Sequence, residues 1–490
     1  MEFSKAVREV WDRDPEGGAI EFEGQWFSWR GISNAARDID DACERAGVSQ
    51  DAAIGLIARN RVGPAAALVA LLGLRRCVVM IYAAQTPEAI ARDIASLRLA
   101  AVVGDERDWD HHTISAAHEV GTLGFAARGD PSYPITPVPE LQQLRATDYR
   151  LSPADVALEL LSSGTTGAPK RIPLRVSTFE QAAEDAGKIY VAASDRPPTS
   201  VVFHPISNIA GLTFFIPLMF FGQPMCLIER FDLEVWLDAV ERHRPARASL
   251  PPAVLKQMLE LNVPAEALKS FDVIGVGAAA LDPELQEQFE ARYEVPLLIS
   301  YGATEFGGVV ANWTSELHTE FAHTKRGSVG RARPGCALRI VDPTTGVELA
   351  VGEPGLLEVQ AERLGPEWIR TTDLASIDTD GFLFLLGRAD AAINRGGFKV
   401  VPDKVAAALR RHPAVRDAAV VGVPDERLGE IPVAAIELIA GAVVGEEELR
   451  RHAGTELLRY EVPASFHIVE SLPRNASMKV DLTAVRRLVV

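Results

Sequence analysis

The chain has 490 residues, 47% hydrophobic and 24% charged, a composition that suits a folded globular protein and excludes disordered, collagen-like and disulfide-scaffold classes. At that length two or three domains are expected. With 50 Lys+Arg against 67 Asp+Glu, the formal net charge of −17 repels phosphate backbones and anionic lipid, so nucleic acid is not an expected partner, while a local basic pocket for a phosphorylated small molecule stays open.

The first 18 residues alternate charged and apolar side chains without the apolar block of a signal peptide, so export is not expected. Cys43, Cys77, Cys226 and Cys336 lie far apart and form no CxxC or His/Cys metal spacing, which fits a reducing cytoplasm. From Ala154 onward, short β-rich apolar runs alternate with helical patterns, as in βα units that build largely parallel sheets. Strands are predicted at Val156–Leu161, Val201–Ile206, Met225–Glu229, Arg247–Leu250, Val273–Val276 and Pro296–Ser300, with helices at Leu233–His243, Pro252–Leu261 and Pro283–Tyr293. The uncharged stretch Ile209–Ile228 is broken by Gly211, Pro217, Gly222, Gln223 and Pro224. It reads as a buried helix and a core strand with no transmembrane segment.

After about Gly330 the strands come closer together, at Leu338–Val341, Gly355–Gln360 and Phe382–Leu386, separated by Gly, Pro and Asp turns, which predicts an antiparallel or barrel-like subregion. Past Gly387 a compact α+β tail begins. It has a helix at Asp403–Arg411, strands at Asp417–Val423 and Val433–Leu438, and helices near Glu446–Leu457 and Thr483–Leu488. The expected fold is α/β, a large N-terminal domain of layered sheets with a β-barrel-like subregion and a small, mobile α+β C-terminal domain, divided as 1–388 and 389–490.

The sharpest local signal is Ser162-Ser163-Gly164-Thr165-Thr166-Gly167-Ala168-Pro169-Lys170, directly after the strand Val156–Leu161. Hydroxyls, glycines and a lysine suit polyphosphate oxygens, because converging N–H and O–H donors can approach an anion closely where no Cβ intervenes. The segment is not a GxxxxGK[ST] loop, and Pro169 with Pro173 discourages a following helix. On these residues alone, a phosphate-gripping loop and a surface turn with a solvated lysine fit equally well.

The segment resembles the Ser/Thr/Gly-rich loop of the adenylate-forming superfamily, which comprises acyl-CoA synthetases, carrier-protein adenylation domains and luciferases. Further resembling motifs follow in the family's order: Gly277-Ala278-Ala279-Ala280-Leu281, Tyr301-Gly302-Ala303-Thr304-Glu305, Trp368-Ile369-Arg370-Thr371-Thr372-Asp373, Gly387-Arg388-Ala389-Asp390, Gly396-Gly397-Phe398-Lys399 and Pro473-Arg474-Asn475-Ala476-Ser477-Met478-Lys479. They span about two thirds of the chain, and the first 150 residues match loosely.

The resemblance implies a set of roles, each with a chemical reason. Ser162, Ser163, Gly164, Thr165, Thr166, Gly167 and Lys170 would bind ATP or AMP. Tyr301 would stack on adenine, with Gly277, Ala278 and Ala279 as the other wall and Gly302 beside it; a core tyrosine is the plainer reading of Tyr301. Thr304 would offer a hydroxyl to the α-phosphate and Glu305 a hard carboxylate to Mg²⁺. Two acceptor oxygens on Asp373 match two adjacent ribose hydroxyls, and Arg388 would supply a charge-assisted bond to ribose or phosphate. Asp390 falls at the family's hinge. Lys479, which residue type and position alone would leave in solvent, would be carried into the active site to bridge the attacking carboxylate and the α-phosphate. Gly396, Gly397 and Lys399 would form the face for the second, thiol-attack step.

The activity implied is an AMP-forming acyl- or aryl-CoA ligase, with ATP, Mg²⁺ and CoA as cofactors and a small carboxylic acid as substrate; a stand-alone enzyme loading a carrier-protein phosphopantetheine is the alternative, and a homodimer is allowed. The acyl pocket would be lined by Asn208, Ile209, Gly211, Leu212 and Ala303. Ile209 falls where α-amino-acid adenylation domains place an aspartate, so a substrate ammonium would lack its counter-charge and an apolar aromatic or aliphatic acid is expected. His204 reads as structural. Three residues depart from the family pattern: Thr372 and Met478 replace glycines, and Lys404 replaces an acidic residue in a stretch that reads as structural.

Overall fold

The computed structural model describes residues 2–129, 135–161, 170–178, 180–181, 199–277, 279–475 and 478–490. The chain forms two compact units, one of residues 1–248, 263–274 and 302–308, the other of residues 249–262, 275–301 and 309–490.

The first unit holds a seven-stranded sheet centred on Ile54–Ala58, which is buried at every position. Val78–Tyr82 and Ala101–Asp105 pair parallel with it on either side, and Leu123–Ala127 and Val156–Leu161 extend the parallel core. Ile135–Pro137 and Arg171–Arg175 close the two edges antiparallel. Strands covered on both faces have no solvent side, so their sequences run apolar without alternation. Helix Val62–Gly73 is buried at every residue but the first. Gly63 lets it approach, since a Cβ there would lie 2.4 Å from the Ala127 carbonyl oxygen.

A second sheet in this unit has the order Ser200–Val202, Met225–Leu227, Gly18–Phe22, Gln25–Ser28. The first two of these strands are shorter than predicted. Between them, Ile209–Phe221 forms a helix that ends at Gly222 in the left-handed region (φ 69°), so the uncharged stretch is a buried helix followed by a strand. No described helix is long and apolar enough to cross a membrane.

The second unit carries most of a nine-stranded sheet in which the predicted runs Arg247–Leu250 and Val273–Val276 and the strand Leu297–Ala303 adjoin the later strands Gly308–Asn312, Ser328–Ala332, Phe382–Arg388, Ile369–Ile377, Gly355–Ala361 and Cys336–Val341, in that order. The strands from Ser328 on pair antiparallel, as their turn-rich spacing predicts. Beyond them, Val415–Asp425 and Gly429–Leu438 form a long hairpin within a separate five-stranded sheet. Helix Pro402–Arg410 buries Val405, Ala408 and Leu409 in a core with Val415, Val420 and Ile436, while helix Leu482–Val489 covers the opposite side with Val485 and Val489 against Val421 and Ala435. Residues 393–489 thus have two apolar clusters of their own. Helix Pro252–Glu260 meets this part of the chain through polar groups: Lys256 Nζ donates to the Arg416 carbonyl, and Arg416 pairs with Glu260 at 2.9 Å and Glu437 at 3.1 Å.

Candidate active site

Two neighbouring antiparallel strands place the central charges. Asp373 on Ile369–Ile377 lies directly opposite Arg388 on Phe382–Arg388. The Asp373 backbone is anchored from below, its N–H donating to Thr371 Oγ1 at 2.9 Å and that hydroxyl donating to the Leu357 carbonyl at 2.8 Å. Strand Leu297–Ala303 brings in Tyr301, half-buried, whose hydroxyl donates to Asp373 Oδ2. Ser300 Oγ donates to the Val276 carbonyl at 3.4 Å, and a Cβ on Gly277 would come 3.1 Å from that hydroxyl. The tyrosine is therefore not a plain core residue: it is half-buried, and its hydroxyl is tied to Asp373, the residue the resemblance implies as ribose ligand.

Arg388 is held on one edge. Its Nε and Nη2 donate to the two oxygens of Asp390 at 2.9 and 2.6 Å, and Nη2 also donates to Thr372 Oγ1 at 2.8 Å. The residue expected at the hinge is thus paired with the residue expected at the nucleotide. Gly387 just before them takes φ 120°, and a Cβ there would meet Val401 Cγ1 at 2.5 Å, so a side chain is excluded on both counts.

Lys479 arrives from the far end of the sequence on a tight reversal. Arg474 bridges to Val480, Asn475 N–H donates to the Lys479 carbonyl at 2.8 Å, and Lys479 N–H donates to Asn475 Oδ1 at 3.1 Å. Met478, where the resembling family has glycine, closes the reversal with φ 62°. Burial lowers the Lys479 ammonium below the ordinary lysine range; Arg388 lowers it further, and Asp373 raises it in part. The side chain still reaches solvent, so this is a group at a protein-walled surface and not a sealed one. Asp403 belongs to the same charge cluster: burial raises its carboxyl, Arg410 and Arg388 hold it down, and Asp373 raises it again. Residue type and spacing gave no reason to single out Asp403.

The remaining expected residues are placed as follows. Ser162, Ser163, Gly164, Thr165, Thr166, Gly167 and Ala278 lie outside the described residues. The strands flanking that loop pair antiparallel with Leu161 opposite Arg171, and Lys170 at its exit is exposed. Arg171–Arg175 is a strand, in keeping with the two prolines. Ala279 and Gly302 are exposed. Thr304 and Glu305 open a single 3₁₀ turn, Thr304–Phe306, in the first unit; Thr304 is half-buried and Glu305 exposed. One exposed hard carboxylate fits Mg²⁺, which keeps most of its shell for water and phosphate oxygens. Gly396 and Gly397 form a two-residue turn with φ 59° and 90° between the paired strands Ile393–Arg395 and Phe398–Val400. Lys399 is exposed there, and Phe398, 57% exposed, stacks on Tyr460. Lys404 is structural, as its stretch suggests: its Nζ donates to both oxygens of the buried Glu461 at 2.6 and 2.8 Å. His204 stacks on Phe203.

Within the first unit a small pocket is lined by Thr178, Ile209, Leu212, Thr213, Ile216, Pro217 and Gly307. Ile209 and Leu212, two of the residues that the resemblance implies for an acyl pocket, are among them. Asn208 caps the helix, its Oδ1 accepting from Gly211 N–H at 2.9 Å, and Gly211 packs where a Cβ would fall 2.0 Å from the Pro205 carbonyl oxygen. Ala303 is not among the lining residues. Thr213 and Ile216 follow Ile209 at helical spacing, a periodic signal that could have found them. None of the described lining residues is ionisable.

The family model described as AMP-binding enzyme matches residues 7–364, and the AMP-binding enzyme C-terminal domain matches residues 404–479. A 2-succinylbenzoate–CoA ligase of Bacillus pumilus is 26% identical over 95% of this chain and 94% of its own. 4-Coumarate–CoA ligase 3 of rice (Oryza sativa subsp. japonica) is 30% identical over 68% of this chain, and the match spans 64% of the rice protein. Among solved structures, o-succinylbenzoate coenzyme A synthetase of Bacillus subtilis in complex with ATP and magnesium ion superposes with a TM-score of 0.78 at 23% identity, over 97% of this chain and 98% of that one, a likeness of fold.

Proposed function

The chain belongs to the family of AMP-binding enzymes, and from that premise we propose that it is an AMP-forming acid–thiol ligase. A substrate carboxylate attacks the α-phosphate of ATP, pyrophosphate leaves, and the acyl-adenylate passes its acyl group to the thiol of CoA with release of AMP. The observation that supports this reading most is Asp373, held by Tyr301, directly opposite Arg388 on the neighbouring strand, with the Lys479 ammonium within the electrostatic reach of both.

In this reading Asp373, fixed by Tyr301 and Thr371, takes the ribose hydroxyls. Arg388 binds ribose or phosphate, and Lys479 offsets the negative charge that passes from the attacking carboxylate to the α-phosphate oxygens. Residues 162–167, Lys170 and Thr304 hold phosphate oxygens. Glu305 would hold Mg²⁺, which when bound would supply Lewis-acid neutralisation of the polyphosphate. The cavity beside Ile209 and Leu212 receives the acyl group, and its neutral lining supports an uncharged one.

We assign residues 1–388 to the nucleotide and acyl part and 389–490 to a mobile lobe carrying Lys479. The separate sheet and apolar clusters of residues 393–489 support that division. Rotation about Asp390 withdraws Lys479 and presents the Gly396–Gly397 turn and Lys399 to the incoming thiol. A carrier-protein phosphopantetheine as acceptor, a homodimer and a cytoplasmic location are further readings. Pyrophosphate release measured over a panel of aromatic and aliphatic acids, with CoA and a pantetheinylated carrier supplied in parallel, tests the proposal. Acid-dependent conversion of ATP to AMP is expected, and its absence across the panel would overturn the assignment; turnover confined to the carrier would overturn CoA as acceptor.

A further inference from the structure

The resembling family has glycine where this chain has Thr372, and the added side chain has a partner. Thr372 reaches across the strand pair at two points. Its carbonyl accepts the Ala389 N–H at 2.7 Å, one step beyond the Asp373–Arg388 pair, and its Oγ1 accepts from Arg388 Nη2 at 2.8 Å. The second Nη2 hydrogen and the Nε hydrogen of Arg388 go to Asp390 at 2.6 and 2.9 Å. Three of the five N–H groups of the guanidinium are thus engaged with residues 372 and 390, and because the group is planar that fixes its orientation.

We propose that Thr372 is a positioning residue which, with Asp390, clamps Arg388 across the junction at residues 388–390 before any nucleotide is bound. A glycine keeps the backbone bond to Ala389 and contributes nothing to the guanidinium. Thr372 therefore adds to this chain a side-chain tie between the strand that carries Asp373 and the segment expected to act as the hinge. The clamp holds Arg388 beside Asp373 and Lys479, and it restrains Asp390 for as long as Arg388 stays in place. Motion of the C-terminal lobe about Asp390 then requires the Arg388–Asp390 bonds to be given up while the Thr372 bond holds the guanidinium in the place where Asp390 meets it, which slows opening of the junction. The second consequence rests on the proposed ligase function; the clamp itself does not.

Two substitutions at this exposed position separate the side-chain bond from everything else. Thr372→Val keeps the shape and the Ala389 backbone bond and removes only the acceptor, while Thr372→Ser restores it. In nucleotide-free full-length protein, amide hydrogen exchange over residues 389–392 is expected to run about threefold to tenfold faster in Thr372→Val than in wild type and at the wild-type rate in Thr372→Ser. In the ligase assay Thr372→Val is expected to raise the KM for ATP several-fold while leaving the conversion of supplied acyl-AMP and thiol to thioester at least as fast as wild type. Equal exchange in wild type and Thr372→Val, or failure of Thr372→Ser to restore it, overturns the clamp. Absence of acid-dependent AMP formation in wild type overturns the ligase function instead, and the exchange result still decides the clamp.

Discussion

The hydroxyl of Tyr301 donates to Asp373 Oδ2 across 72 residues of sequence, joining the expected adenine wall to the expected ribose ligand. The bond engages one oxygen of the carboxylate and so fixes its orientation. Tyr301→Phe keeps the ring and frees the carboxylate, so the KM for ATP is expected to rise about threefold to tenfold with kcat little changed. Asp373→Ala should raise it further. ATP titrations of acid-dependent pyrophosphate release check both, and unchanged values would remove the pair from nucleotide binding.

Lys479 tests the two-step chemistry. Lys479→Ala is expected to cut acyl-AMP formation by about a hundredfold or more, as loss of a transition-state charge contact does, while supplied acyl-AMP and thiol still give thioester. Equal loss of both half-reactions would contradict a lobe that uses different residues for each step.

The lowered pKa of Lys479 gives that first step an alkaline limit. In the proposed role the ammonium is the working form, so adenylation is expected to be full below the folded-state pKa and to fall as pH rises through it, at a pH below the ordinary lysine value of about 10.4. For stability the sign is opposite. The unfolded chain binds the proton more tightly, so this group adds stability as pH climbs from the lowered value towards the ordinary one. Because Arg388 contributes to the lowering, Arg388→Gln should move the alkaline limb of the residual adenylation upward, and Asp373→Asn should move it downward. A pH profile of pyrophosphate release in each variant reads the shifts.

The cavity at Ile209 offers no counter-charge among its described residues. Acids carrying a second charge, whether an α-ammonium or a further carboxylate, are expected to be activated at least about a hundredfold less efficiently than neutral acids of the same size, because a buried unpaired charge costs several kcal/mol. Ile216→Trp, which fills the space, should abolish turnover of ring-sized acids while acetate is still accepted. Equal use of charged and neutral acids in the pyrophosphate assay would exclude this cavity as the acyl site.

Met478 holds a left-handed conformation that costs a side chain about 1 kcal/mol. Met478→Gly is expected to relieve it and stabilise the protein by about 0.5–1 kcal/mol in denaturant unfolding. A destabilisation would mean that packing of the methionine outweighs the backbone strain.

Much of this was legible in the chain itself. Hydrophobic runs with turn residues between them marked the βα units after Ala154, the closer antiparallel strands and the C-terminal lobe. Residue chemistry in family order marked Tyr301, Asp373, Arg388 and Lys479. The first 150 residues were not legible in the same way. Ile54–Ala58 and Val62–Gly73 are buried all round, and a segment with no solvent face carries no periodicity to tell strand from helix. Local signals could set each element because backbone preference and amphipathic pattern act over a few residues. Tertiary structure alone decided that Thr372 on one strand meets Arg388 on the next and that Asp403 joins Asp373 and Arg388 among the interacting charges. Those contacts depend on strand register and on packing between segments far apart in sequence, and a pairwise distance of that kind has no trace in local order.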